Sequence, residues 1–311
     1  MRLAAITGAT GFVGRHVVNA FLKAGWRLRL LSRSYPRFES QGLPVEVIPA
    51  NLSDEKAFLA LAQDADVIIH LAGVVKARDK AGFMNINTGA TRAIAHAWRS
   101  VQPSAKFILL SSLAAREATL SHYARSKAEG EKAVRASGAN YCILRPCAIY
   151  GPGDRELLGA FKAASLPFQP MLNTAEARVA MVHVRDVAQA VLAVAENPEI
   201  RGEFELCDAR IEGYQWGEII DAVCAACGKT ARPLFVPPVL LKAIARGMEL
   251  RAALTGLPVM LTRHKVREIL HHNWGSTHQA QLPAHIWQPR HPLMQGLHET
   301  GLWYRQMGWI G

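Results

Sequence analysis

The first half of the chain alternates short apolar runs with stretches of helical periodicity. Residues 3–7, 27–31, 45–48, 67–71, 106–111 and 141–145 have strand length and are mostly apolar at successive positions. Between them, residues 12–24, 53–62, 87–100 and 123–136 repeat apolar side chains at three- and four-residue intervals. Successive side chains on a strand point to opposite faces, so a run apolar on both faces needs cover on both sides. A parallel sheet between two layers of helices provides that cover. The pattern therefore predicts an α/β fold, a Rossmann-type doubly wound parallel sheet.

Beyond Ile149 the rhythm loosens. Gly151-Pro152-Gly153-Asp154 signals a turn, with a helix restarting near Arg155. A short strand is expected at 181–184, a helix at 186–196 and a strand at 204–206. Helices follow at 214–227, 239–253, 262–270 and 293–307. Residues 1–150 are thus expected to form the core of the Rossmann domain. Residues 151–311 complete it and supply a smaller, mostly helical substrate-binding cap. The segment 239–253 mixes apolar residues with Lys242, Arg246 and Arg251, a pattern compatible with a membrane surface. Packing over the pocket or against a partner subunit accounts for it with fewer assumptions.

The first strand and helix enclose Gly8, Gly11 and Gly14, a G-x-x-G-x-x-G run with Thr10, Phe12 and Val13 between and beside the glycines. Such a turn lets the backbone approach a pyrophosphate, and the helix N-terminus offers it unpaired N–H groups. Its position between strand and helix makes it a specific signal for a dinucleotide. The second strand ends in Ser32-Arg33, where a carboxylate would otherwise hold the ribose hydroxyls of NAD. A serine and an arginine suit the extra phosphate of NADP, which is therefore favoured over NAD. Arg29 and Arg37 are candidate helpers.

Tyr123 and Lys127 are spaced Y-x-x-x-K on a predicted helix, one turn apart on one face. A tyrosine hydroxyl titrates near 10 in isolation, and a nearby ammonium favours its phenolate. Tyr123 can then serve as acid in carbonyl reduction and base in alcohol oxidation. Ser111-Ser112 end the preceding strand, where open sheets place their ligands. Ser112 is the candidate for holding the substrate oxygen, with Ser111 competing for the role.

These motifs occur in the order found in the extended short-chain dehydrogenase/reductase family, of the NAD-dependent epimerase/dehydratase type, which the chain resembles. TGATGFVG (7–14), NLSD (51–54), HLAG (70–73), NINTGAT (85–91), LLSSLAA (109–115), YARSKAEGE (123–131), LRPCAIYGPGD (144–154), VHVRDVAQA (182–190) and GLHETGLWYRQMGW (296–309) carry the resemblance. It implies catalytic roles for Ser112, Tyr123 and Lys127, with Lys127 also holding the nicotinamide ribose. It places Asn51 and Leu52 beside adenine, although the family usually begins that segment with aspartate. Leu71, Ala72 and Gly73 become backbone near the cofactor, Asn87 a supporting helix residue, and Pro146 and Ile149 the stretch passing the nicotinamide. Asp186 is implied to order the region behind the pocket. The short connection from Ser112 to Tyr123 could leave less room for a large nucleotide-sugar or merely fold differently beside it, and the Thr-Asp-Glu set of a sugar dehydratase is missing.

The implied activity is NAD(P)-dependent interconversion of a secondary alcohol and a ketone. Two alternatives are nucleotide-sugar epimerisation and a non-catalytic, cofactor-binding structural or regulatory role. Arg178 and Arg185 could meet an anionic substrate or sit in solvent or a salt bridge. The net charge of +11 permits anionic partners, yet no zinc-finger spacing or basic stripe with interleaved aromatics points to nucleic acid. The five cysteines do not read as a disulfide framework, and Cys224 and Cys227 are expected to pack in a core. No metal is expected. The sequence shows neither a signal-peptide pattern nor a run long enough to span a membrane, so a cytoplasmic protein is expected, and helix packing would allow a homodimer.

Overall fold

The computed structural model describes the chain except for residues 37, 39–41, 139, 173, 175 and 256–260, with backbone alone at 252–254. Seven strands build one sheet: β1 (Leu3–Thr7), β2 (Arg27–Ser32), β3 (Val45–Pro49), β4 (Val67–His70), β5 (Lys106–Leu110), β6 (Tyr141–Pro146) and β7 (Gly202–Leu206). Their spatial order is β7-β6-β5-β4-β1-β2-β3, and every neighbouring pair is parallel. In β1, β4 and β5 every residue is buried, which explains why these central strands lack a polar alternation. The edge strand β3 is more exposed, with Glu46 and Pro49 turned to solvent.

Helices α1 (Phe12–Lys23), α2 (Glu55–Ala62), α3 (Thr91–Val101) and α4 (His122–Ala136) connect these strands. Phe58 and Leu61 of α2 and Ile94 and Trp98 of α3 pack with Ile68 and Phe107 in one core. The Trp98 indole also donates to Ala105 O at 2.9 Å, so its single polar group is satisfied in the interior. Asp54 caps α2 and Ser121 caps α4 through bonds from Ala57 N and Ala124 N. The helix expected to begin at Asn87 instead follows a π-helical segment, Met84–Ala90.

The chain separates into two compact units. The first comprises Met1–Pro146, Val187–Leu206 and Leu282–Gln288; the second comprises Cys147–Asp186, Cys207–Gln281 and Pro289–Gly311. The first unit therefore draws β7 from the C-terminal half, delivered by α5 (Val184–Glu196).

The second unit holds α6 (Trp216–Ala226), α7 (Pro238–Thr255), α8 (Arg263–Ile269) and α9 (Leu293–Gln306). Tyr150, Phe161, Val223, Cys224, Leu297 and Tyr304 share its main core, so Cys224 packs where the sequence placed it. Short ladders join Ala148–Tyr150 to Met181–His183 and Gln169–Met171 to Pro233–Phe235. Ladders of two or three residues are too short for hydrophobic periodicity to register, and most of them escaped the sequence reading.

Cys147 and Cys207 form a disulfide with Cα atoms 5.6 Å apart. They directly follow Pro146 and Leu206, which face each other in the β6–β7 register. The cysteine spacing in sequence gave no sign of this pair, because it arises from strand register across 60 residues.

Candidate active site

The chain leaves β1 toward β2 and β3, then returns to β4 on the other side of β1. Two loops therefore diverge at the carboxyl ends of β1 and β4 and open a crevice, the usual ligand position in such sheets. The glycine turn fills one side of it. Gly8 has φ +77°, and a Cβ there would lie 2.6 Å from Ala72 N and 2.9 Å from the Leu71 carbonyl carbon. A Cβ on Gly14 would fall 2.0 Å from Gly8 O. Both positions thus exclude a side chain on steric grounds. Gly11 is the N-cap of α1 and supplies no side-chain acceptor, so the first-turn N–H groups at Phe12, Val13 and Gly14 suit a phosphate. Thr10 and Gly11 are exposed beside them. This cradle fits a dinucleotide pyrophosphate.

Beneath the crevice, His70 is completely enclosed between two threonines. Its Nδ1 lies 2.7 Å from Thr7 Oγ1 and its Nε2 lies 3.0 Å from Thr91 Oγ1. Thr91 donates its own hydroxyl hydrogen to Asn87 O at 2.7 Å, so it accepts from His70 Nε2–H. Nδ1 is then the acceptor, taking the Thr7 hydroxyl hydrogen, while Thr7 Oγ1 accepts from Ala72 N at 3.4 Å. Burial, followed by the charge of Lys127, pushes the imidazole pKa down to about 3 and keeps the ring neutral. One directional chain of bonds thereby joins β1, β4, the Ala72–Gly73 loop and the π-helix. Sequence reading assigned no role to Thr7, His70 or Thr91, because they lie far apart along the chain.

The relay ends at Asn87, which is buried and fully engaged. Its amide bonds both ways with Val74, at 2.8 and 3.0 Å, and donates to Ser126 Oγ at 2.9 Å. Ser126 in turn donates to Tyr123 O at 2.7 Å. A Cβ on Gly73 would stand 3.0 Å from Asn87 Oδ1 and 3.9 Å from Lys127 Nζ, so these three residues converge. Lys127 is itself buried and donates from Nζ to Leu110 O at 2.8 Å. Desolvation lowers its pKa to about 8, partly opposed by Glu131.

Tyr123 is half-buried on the same face of α4, with its ring 6.2 Å from that of Phe83. Ser112 is half-buried too and accepts from Ala114 N at 3.2 Å, capping the 3-10 turn Leu113–Glu117. Ser111 differs: it is buried, and its hydroxyl donates to Glu131 Oε1 at 2.6 Å. Glu131 also takes two bonds from Arg145 and one from Arg135. Ser111 is therefore committed to an internal ion network, whereas the Ser112 hydroxyl donates to no protein group among the described residues.

Of the remaining candidates, Ser32 is buried and accepts from Ser34 N, whereas Arg33 is exposed at the end of β2. Arg29 is not a cofactor helper. It pairs with Glu46 at 2.6 Å and caps the carbonyls of Ala60, Leu61 and Gln63 at the end of α2. Arg37 lies outside the described residues. Asn51 is exposed and accepts from Ser53 N at 2.8 Å; Leu52 leans on the core cluster. Leu71 and Ala72 are half-buried, with Leu71 N bound to Thr7 O. Pro146 is buried at the end of β6, and Ile149 is half-buried in the second unit. In that unit Arg185 pairs with Glu299 at 2.5 Å and Arg178 donates to Gly213 O, while Asp186 is buried and accepts from His291 N and Nδ1.

A model of the NAD-dependent epimerase/dehydratase family matches residues 4–206, the span holding the glycine turn, the relay and the Ser-Tyr-Lys set. The chain belongs to that family. It is an enzyme family of the extended short-chain dehydrogenase/reductase type, in agreement with the motif order. A ceramide reductase from Caulobacter vibrioides (strain NA1000 / CB15N) is 43% identical over 309 residues, covering 98% of this chain and 95% of that protein. NADH dehydrogenase [ubiquinone] 1 alpha subcomplex subunit 9, mitochondrial, from Dictyostelium discoideum is 28% identical over 229 residues, covering 71% of this chain and 63% of that protein. Among solved structures, that of gox2253 superposes with a TM-score of 0.75 at 23% identity, covering 100% of this chain and 99% of the other. UDP-N-acetylglucosamine 4-epimerase from Bacillus cereus gives 0.70 at 16% identity, covering 98% and 97%. At such identities the structural likeness speaks for the fold alone.

Proposed function

We propose that this enzyme reduces a ketone on a ceramide-type lipid to a secondary alcohol, using a nicotinamide dinucleotide. The near full-length likeness to a ceramide reductase carries this reading. A ceramide bears a secondary alcohol close to its amide nitrogen, and the ketone at that carbon is the acceptor suited to this chemistry. The bound dinucleotide supplies the hydride. Tyr123 donates its phenolic proton to the carbonyl oxygen, and the Ser112 hydroxyl holds that oxygen in place. Lys127 keeps a positive charge beside the phenol, which lowers the cost of the phenolate left behind. The short Ser112–Tyr123 connection, folded as a 3-10 turn, also suits a substrate without a bulky nucleotide. NADP is the proposed coenzyme form, from the exposed Arg33 and the missing carboxylate at the end of β2. A cytoplasmic site of action belongs to the same proposal.

The test is multiple-turnover consumption of reduced coenzyme by purified protein given an N-acylated long-chain amino ketone in detergent. Tyr123→Phe should lower turnover by about 10²–10⁴-fold with coenzyme affinity nearly unchanged. Undiminished turnover in Tyr123→Phe, or epimerisation of a nucleotide-sugar without net coenzyme consumption, would overturn the assignment. The Dictyostelium relative, named as a subunit of a larger complex, supports a second reading as a cofactor-holding subunit. Under that reading Tyr123→Phe leaves the biological output intact.

A further inference from the structure

We infer that the outer face of α7 is a docking surface for an anionic lipid bilayer. The helix is held to its unit by a narrow stripe: Leu241 and Ala245 are buried and cluster with Val266 of α8, with Leu172, Val236 and Ile269 packed around them. Most of the remaining circumference faces outward. At 100° per residue, Val239, Leu240, Ala243, Ile244, Gly247 and Leu250 fall on one side of the helix. Val239, Leu240, Ile244 and Leu250 are 78%, 51%, 44% and 65% exposed, a contiguous apolar stripe of a kind that water disfavours. Leu234 and Phe235, on the strand leading into α7, and Phe168, beside the strand paired with it, are 57%, 44% and 57% exposed.

The same segment is strongly basic. Residues 229–268 contain eight Lys or Arg and two Glu, which is more than half of the chain's net +11. Glu249 is taken by Arg263 at 2.7 Å and Glu268 by Lys265 at 3.1 Å. Lys242, Arg246 and Arg251 are exposed, and no ion pair occupies them among the described residues. Lys242 and Arg246 stand one turn apart along the border of the apolar stripe.

A bilayer containing anionic lipid accepts both features at once. The apolar side chains enter the acyl boundary while the cations reach the phosphates. Nucleic acid would take the cations and leave the stripe in water. A second copy of this chain would set the same cations against each other across a two-fold axis. The helix lies on the surface and does not cross it: no helix among the described residues is long and apolar enough for that. This inference deepens the proposed reading, because a ceramide-type substrate resides in a bilayer, and its test does not depend on turnover.

Flotation with vesicles of phosphatidylcholine alone, and with about one third phosphatidylglycerol, tests it. The intact chain should float with the anionic vesicles, and added salt should weaken the association. Lys242→Glu/Arg246→Glu should lower partitioning by at least about tenfold, since each surface cation contributes roughly fivefold. Leu240→Glu/Ile244→Glu should abolish it. Both variants should keep the parent melting temperature and full activity on detergent-dispersed substrate. Three results would each overturn the inference: an intact chain that never floats, variants that float like the parent, or an apolar-stripe variant that only dissociates a dimer. Flotation without keto-lipid reduction would leave docking standing and remove the proposed activity; the reverse pattern would do the opposite.

Discussion

Enclosure withdraws the proton from His70, and that choice has a pH signature. The folded protein leaves the ring neutral down to about 3, whereas the unfolded chain protonates it near 6.5. Below 6.5 the unfolded state therefore binds more protons, and stability falls by about 1.4 kcal/mol per pH unit until the folded ring titrates. His70→Leu should remove this component of the acid slope. At neutral pH the same change should cost about 1–3 kcal/mol, because the hydroxyls of Thr7 and Thr91 lose their partner. Urea melts at two pH values read both effects, and an unchanged acid slope in the variant would refute the relay. Tyr123 and Lys127 were legible from a fixed spacing, since four residues make one helical turn. The relay was not, because Thr7, His70 and Thr91 meet only through the β1–β4 pairing and the placement of α3.

At the level of elements, one stripe of α4 serves two duties in succession along its length. Its first turns hold Tyr123 and Lys127, and the next places Glu131 among Ser111, Arg135 and Arg145. Glu203 of β7 joins the cluster through Arg145 at 2.6 Å, so the network ties α4 to β6 and β7. The carboxylates hold the Arg145 guanidinium well above its ordinary range, and the arginines hold Glu203 below the usual carboxylate range. Glu131→Gln leaves the half-buried Arg145 guanidinium short of countercharge and should cost about 1–3 kcal/mol. The loss should appear in the melting curve, with little change in coenzyme affinity. A variant as stable as the parent would show that Glu203 alone balances both arginines. Helix and strand positions were readable from periodicity, but the internal charge pairs were not, since they join residues up to 68 positions apart.

For the molecule as a whole, a ligand that binds only the folded state raises stability in proportion to its affinity. Coenzyme at a hundred times its dissociation constant adds about 2.7 kcal/mol. Under the proposed preference for NADP, that coenzyme should raise the melting temperature more than NAD at equal concentration, and Arg33→Ala should erase the difference. Equal shifts in the parent protein would exclude Arg33 as the discriminator. The chain alone determined the parallel sheet, the glycine turn and the tyrosine–lysine pair, because each rests on local spacing that backbone geometry converts directly into position. Tertiary structure decided what depends on distant partners: Ser111 is spent on Glu131, Arg29 caps α2, His70 is locked neutral, and Cys147 meets Cys207. It also decided that α7 keeps an apolar face turned outward, since a helical pattern shows that a stripe exists but not whether the fold covers it.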